Sequence, residues 1–155
     1  MVEVNPPTIY PAKNFSIFLA GSIEQGKAIE WQKQIVEELY HHSGTIYNPR
    51  RSDYDVTQKQ DINNEYFFKQ VSWEMKYIRE STFLIFYFQK DTLSPITIGE
   101  LYYCAASGKK CIVCCEEGFW RKGNIDIVCY EHNIPQVSSL QELVQRIKLE
   151  IYKEL

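Results

Sequence analysis

The chain has 155 residues and a formal net charge of −3, from 17 Lys and Arg against 20 Asp and Glu. That length suits one domain able to bury a real core and is short for a two-domain enzyme. The acidic balance, with no run of Lys or Arg longer than two, argues against a nucleic-acid backbone binder and favours small polar or uncharged ligands.

Residues 1–13 contain Pro6, Pro7 and Pro11 and lack a basic start followed by an apolar core. They read as an extended leader rather than a signal peptide, joined to a single domain over residues 14–155. The first strand is an apolar run over 15–20 that stops at Gly21 and Ser22. A helix over 25–41 follows, with Ile29, Ile35, Val36 and Leu39 as its expected buried stripe. After Gly44 comes a short strand, Thr45-Ile46-Tyr47, halted by Asn48-Pro49. A polar loop over 50–63 leads to a helix over 64–79, whose Phe67, Phe68, Val71, Met75 and Ile78 recur at three- and four-residue spacing.

The strand over 83–88 is apolar at every position, as befits a strand covered on both faces. Ser94 reads as the cap and Pro95 as the first residue of a helix over 95–107, which Gly108 stops. Residues 110–115 form a fourth strand, 126–129 a short fifth, and a last helix starts at Ser138 or Ser139, with Leu140, Leu143, Val144 and Ile147 facing inward. Alternating strands and helices predict a three-layer α/β sandwich of flavodoxin-like (Rossmann-like) type, with a five-stranded parallel sheet in the order 2-1-3-4-5. No stretch approaches the ~20 apolar residues that cross a bilayer, so no membrane association is expected.

Five cysteines, at 104, 111, 114, 115 and 129, sit in or beside apolar segments. Their odd number and context predict reduced thiols in a cytoplasmic setting. The C-x-x-C of Cys111 to Cys114 has neither a second such pair nor a His at ligand spacing, so strand packing is favoured over a metal or redox role, and no metal or cofactor is expected.

Ligands of an open α/β sheet bind beyond the carboxyl ends of the strands. The loop after residue 88 and the helix carrying Glu100 lie at that edge, which makes this carboxylate the leading catalytic candidate over a plain solvated helix glutamate. Glu74 lies four residues after Gln70, so the two share a helix face beside Trp73. Gly21 and Ser22 offer a ligand cradle, although such a turn also serves as plain structure. Arg50, Arg51 and Asp53 either orient a ligand or pair with one another. G-x-G-x-x-G and G-x-x-x-x-G-K-[ST] are both absent, and His41, His42 and His132 lie away from the strand tips. Two carboxylates brought together suit glycosyl chemistry, one attacking an anomeric carbon while the other manages the leaving group's proton. An ordinary Glu, with a pKa near ~4.3, is already ionised at neutral pH, so such a nucleophile is expected to need positioning more than activation.

Five blocks occur in order over roughly residues 15–130: Phe18 to Ile23 (FLAGSI), Asn48 to Arg51 (NPRR), Gln70 to Glu74 (QVSWE), Ser94 to Leu101 (SPITIGEL) and Gly118 to Ile127 (GFWRKGNIDI). In these the chain resembles the nucleoside 2-deoxyribosyltransferases. The resemblance implies exchange of the base of a 2′-deoxynucleoside with a free nucleobase, through a covalent deoxyribosyl-enzyme intermediate. It implies Glu100 as nucleophile and Glu74 in the place where many relatives carry an Asp serving the leaving base. Gly21, Ser22, Asn48, Asp53, Asp91 and Ser94 are carried over as substrate-binding candidates. Asn124 matches an Asn that enters a neighbouring subunit's site to bind the sugar's 5′-hydroxyl, so a homo-oligomer is implied. Ser94 stands where many transferases have Asp, a feature shared with the related deoxynucleoside 5′-monophosphate N-glycosidases, and Tyr102 replaces a usual Gly. Hydrolysis of the same bond is therefore the alternative activity, and a binding module that keeps the fold without turnover is the alternative of another class.

Overall fold

The computed structural model describes residues 1–12, 14–24 and 27–154. In chain order the elements are β1 (Val2–Val4), β2 (Ser16–Gly21), α1 (Trp31–Glu38), β3 (Thr45–Tyr47), α2 (Glu65–Glu80), β4 (Phe83–Phe88), α3 (Pro95–Ala106), β5 (Cys111–Cys115), α4 (Lys122–Glu131), β6 (Gln136–Val137) and α5 (Leu140–Glu154). All strand pairings are parallel, and the six-stranded sheet has the order β1-β3-β2-β4-β5-β6.

The central strands are apolar throughout because both of their faces are covered. On one face Phe18, Leu84, Phe86, Phe88 and Val113 meet Trp73 and Tyr77 of α2, Leu101 and Cys104 of α3, and Ile125 and Val128 of α4. On the other, Ile17, Leu19, Ile85, Tyr87 and Ile112 meet Trp31 and Ile35 of α1 and Leu143 and Ile147 of α5. This is the expected three-layer sandwich, with α2, α3 and α4 forming one outer layer and α1 and α5 the other. All five cysteines are buried, on β5, α3 and α4.

The predicted five strands are corrected to six. Residues 2–4 of the leader add an edge strand to β3, pairing Val2 with Thr45 and Val4 with Tyr47. Residues 126–129, expected as the fifth strand, lie inside α4, because Ile125, Val128 and Cys129 recur at helical spacing and bury one side while Ile127 is exposed. The last strand is instead Gln136–Val137, too short and too polar to leave a periodic signal. The first helix is α1, shorter than the predicted 25–41; Gln25 and Gly26 lie outside the described residues, and Ile29, an expected core position, is exposed.

On α2 the packing face is also corrected. Phe68, Val71 and Met75 are exposed, while Gln70, Trp73, Tyr77 and Ile78 are buried. The helix carries apolar residues on more than one side, and the sheet takes the face bearing Trp73 and Tyr77. Asn64 caps α2, accepting the backbone N–H groups of Tyr66 and Phe67. No described helix is long and apolar enough to cross a membrane.

Candidate active site

The carboxyl ends of β2 and β4 are locked together by hydroxyl groups. Ser22 Oγ, buried just past β2, lies 2.7 Å from Thr92 Oγ1 and 2.7 Å from Ser94 Oγ, and accepts the Gln89 N–H at 3.0 Å. Its own backbone donates to Tyr87 O at 3.0 Å and accepts the Trp31 indole N–H at 3.0 Å. Gly21 precedes it because nothing larger fits: a Cβ there would stand 2.5 Å from Trp31 Cζ2 and 2.5 Å from Tyr87 O.

The β4–α3 loop is held in an unusual backbone shape, with Asp91 at φ 63° and Ser94 at φ 47°. Ser94 precedes Pro95 as expected, but its hydroxyl does not cap the helix. It turns to Ser22, while the backbone N–H groups of Leu93 and Ser94 donate to Glu24 Oε1 at 3.0 and 2.9 Å. Trp120 closes the outer side of the loop, its indole N–H donating to Leu93 O at 2.9 Å. Asp91 itself is exposed at the loop tip.

Glu74 on α2 and Glu100 on α3 stand on the same face of the sheet, since both helices pack against the cluster around Phe18 and Phe86. Both side chains are half-buried. Burial, then the charge of Glu74 and lastly the Cys104 thiol one turn along α3, push the Glu100 carboxyl up to about 8. Burial also raises Glu74, opposed by the Gln70 amide, which donates to Glu74 Oε1 at 2.7 Å. The expectation of an ordinary, already ionised nucleophile is thereby corrected. Desolvation and a like charge together disfavour two anions side by side.

The loop after β3 brings the Tyr54 ring, packed against Tyr66 in the first turn of α2, within range of Glu74. The Tyr54 and Tyr66 ring centroids are 5.6 Å apart, and Tyr54 is close enough to feel the Glu74 charge, which follows burial and Tyr66 among the causes that raise its phenol. Arg51 sits over the Tyr66 ring at 5.5 Å and forms a two-pronged contact with exposed Asp53 at 2.6 and 2.8 Å. Asn48, also carried over as substrate-binding, is buried and spends its side chain on Glu3 Oε1 at 2.7 Å and the Arg50 N–H at 3.0 Å. Asn124 is exposed in the first turn of α4, and Tyr102 is exposed on α3.

Ser22 and Ser94 thus meet at the carboxyl ends of β2 and β4, Glu74 and Glu100 lie within electrostatic range of each other on one face of the sheet, and Asn48 and Asp53 are tied to other partners. A groove of about 510 Å³ lined by Glu3, Lys33, Glu37, Asn48 and Arg51 lies on the α1 side, away from the carboxylate pair. Sequence reasoning missed Thr92 and Glu24. Thr92 had one faint signal, a hydroxyl two residues before Ser94, and Glu24 had none, because its partners are backbone groups 69 and 70 residues away.

The fold and the sequence are similar to those of known proteins. The fold matches a conserved protein from Enterococcus faecalis V583 with TM-score 0.62 and 14% identity, covering 88% of this chain and 99% of that one. It also matches BcmB, a CMP N-glycosidase of Clostridium botulinum, with TM-score 0.55 and 18% identity, covering 86% of this chain and 98% of that one. Comparison with curated proteins returned no match. The family described as "Nucleoside 2-deoxyribosyltransferase like" matches residues 14–119, more than half of the chain, including both carboxylates and the hydroxyl cluster. The chain belongs to this nucleoside 2-deoxyribosyltransferase-like family.

Proposed function

We propose that the protein transfers the 2-deoxyribosyl group of a 2′-deoxynucleoside between nucleobases, using Glu100 as nucleophile and Glu74 as the proton carrier of the base. What supports this is the placing of two half-buried carboxyls on one face of the sheet, where burial first and the Glu74 charge second raise Glu100. The Glu100 carboxylate attacks C1′, and the electron pair of the C1′–N bond leaves with the base, which takes its proton from Glu74. A second base then attacks C1′, gives its proton to Glu74 and releases Glu100 as carboxylate. The Tyr54 ring, within range of Glu74 and packed against Tyr66, offers an aromatic wall for the base. No metal or organic cofactor enters this chemistry.

The second reading is hydrolysis of a deoxynucleoside 5′-monophosphate, favoured by the fold shared with a CMP N-glycosidase. Against it, the N–H groups of Leu93 and Ser94 at the start of α3, donors that a phosphate would seek, already hold the Glu24 carboxylate. An unphosphorylated substrate fits that occupancy better. The site is completed by a second copy of the chain, with Asn124 reaching the neighbour's sugar and the exposed apolar residues of α2 and α3 supplying the contact.

Chromatography after incubation with deoxyinosine or thymidine, with and without adenine, tests the proposal, with deoxynucleoside monophosphates run in parallel. Deoxyadenosine formed only in the presence of adenine supports transfer. Free base with deoxyribose or its phosphate, released without an acceptor, supports hydrolysis, and silence with every substrate rejects both.

A further inference from the structure

Gln70 lies one turn before Glu74 on α2 and is 7% exposed. Its Nε2 donates to the backbone carbonyl of Pro49 at 3.2 Å and to Glu74 Oε1 at 2.7 Å, while its Oε1 is buried with no donor among the described residues. A primary amide has a donor end and an acceptor end, and its neighbours decide which end faces which group. Here one neighbour is a backbone carbonyl, which can only accept. Turning the amide over would set Oε1 against the Pro49 oxygen and leave both hydrogens of a buried NH2 group away from either acceptor. The Pro49 carbonyl therefore fixes a donor towards Glu74, and a carboxyl that faces a fixed donor is favoured as the anion.

We propose that Gln70, latched by the Pro49 carbonyl, is a positioning residue that assigns the negative charge of the carboxyl pair to Glu74 and so leaves the proton on Glu100 in the substrate-free protein. The inference rests on the reading of Glu74 and Glu100 as the catalytic pair. Its chemical consequence is that one proton transfer readies both groups. When Glu100 gives its proton to Glu74, Glu100 becomes the carboxylate that attacks C1′, and Glu74 becomes the acid that protonates the departing base. Charge and protons balance within the pair, with no outside acid or base. The Glu74 charge and the Cys104 thiol on α3 act on Glu100, the Gln70 amide acts on Glu74, and Glu74 in turn acts on the Tyr54 phenol from the β3–α2 loop; no lysine or arginine is among the causes that shift either carboxyl.

The test is a carboxyl titration of the full chain labelled with 13C at the Glu side-chain carboxyl carbon, with signals assigned by Glu74→Gln and Glu100→Gln. At pH 7 the Glu74 signal is expected at its ionised position and the Glu100 signal at its protonated one. Gln70→Met keeps the length and removes the donor. It should raise the Glu74 midpoint by about one pH unit or more, with the charge then spread over both signals. A merely structural Gln70 would change the melting temperature and leave both midpoints in place, and that result overturns the proposal. Should Gln70→Met not fold, the wild-type protein still decides: the Gln70 side-chain N–H signal must shift in step with the Glu74 titration, and a Glu74 that is protonated at pH 7 overturns the assignment. None of these readouts needs turnover. Absence of transfer activity would reject the proposed reaction and leave the charge assignment standing, whereas normal transfer with unmoved midpoints in Gln70→Met rejects the role of Gln70 alone.

Discussion

As the proposed nucleophile, Glu100 would be useful only as an anion, yet it sits where burial and the Glu74 charge keep its proton on up to about 8. The fold thus stabilises the resting form of the site at the expense of the reactive one, and binding of substrate has to shift that balance. The same fact has a signature in stability. An unfolded glutamate releases its proton above about 4.5, whereas folded Glu100 holds it to about 8, so between these values the native state binds a proton that the unfolded chain does not. Stability conferred by that bound proton is complete below about 4.5, declines as pH rises, and is gone once pH exceeds about 8. Glu100→Gln has no proton to lose. It should match the wild type near pH 4.5 and exceed it at pH 8.5 by at least about 1 kcal/mol, or roughly 3 °C in Tm for a chain of this size. Turnover should fall by about a thousandfold or more, since the proposed nucleophile is gone. Thermal melts of both proteins across the pH range test the first point, and parallel curves would show that Glu100 is not the buried acid.

At the level of elements, the site depends on how closely the end of β2 approaches β4 and α1. Gly21 is the contact point, where an added Cβ would stand 2.5 Å from both Trp31 Cζ2 and Tyr87 O. A main-chain oxygen in a paired strand cannot step aside, and Trp31 is fully buried. Gly21→Ala should therefore destabilise the fold by about 2–3 kcal/mol and disturb the Ser22 hydroxyl cluster beside it, which urea unfolding together with transfer activity would measure. An unchanged midpoint would mean that β2 and β4 can part without loss. The central strands β2, β4 and β5 and the helices α2 and α3 were legible in the sequence, because each is either apolar throughout or periodic, and Pro95 and Asn64 mark helix starts by local chemistry. Other elements were not. β1 and β6 have three and two residues, too few for a pattern. α4 hid behind a short apolar run that can be strand or helix until its length is known. On α2 the sequence marks several apolar positions but not which of them meets the sheet. Within the candidate site, position and motif resemblance single out Glu74 and Glu100 as candidates. The raised Glu100 carboxyl was not legible, because it follows from burial and from the facing of two helices, neither of which a linear pattern encodes.

For the molecule as a whole, the layer that carries the carboxylates also carries several exposed apolar residues. Phe68, Val71 and Met75 on α2 and Tyr102 and Tyr103 on α3 are exposed, and Asn124 is exposed on α4 in the same layer. A polar outer face would be the ordinary choice for helices meeting water, and the proposed second copy of the chain would find its apolar contacts here. If Asn124 serves the neighbour's site, each site has Glu100 from one chain and Asn124 from another, and this can be read out by mixing. Glu100→Gln and Asn124→Ala are each impaired when alone, because every site then lacks one of the two groups. In a dimer with one chain of each kind, one site combines the intact Glu100 of one chain with the intact Asn124 of the other, and the second site lacks both. With random reassortment half of the dimers are mixed and half of their sites are intact, so activity should return to about a quarter of the wild-type level. Separation and re-association of the subunits before the assay gives the reassortment, and sedimentation reports the assembly. If Asn124 acted within its own chain, every mixed dimer would pair one site lacking Glu100 with one lacking Asn124, and the mixture would show no more than the average of its two parents.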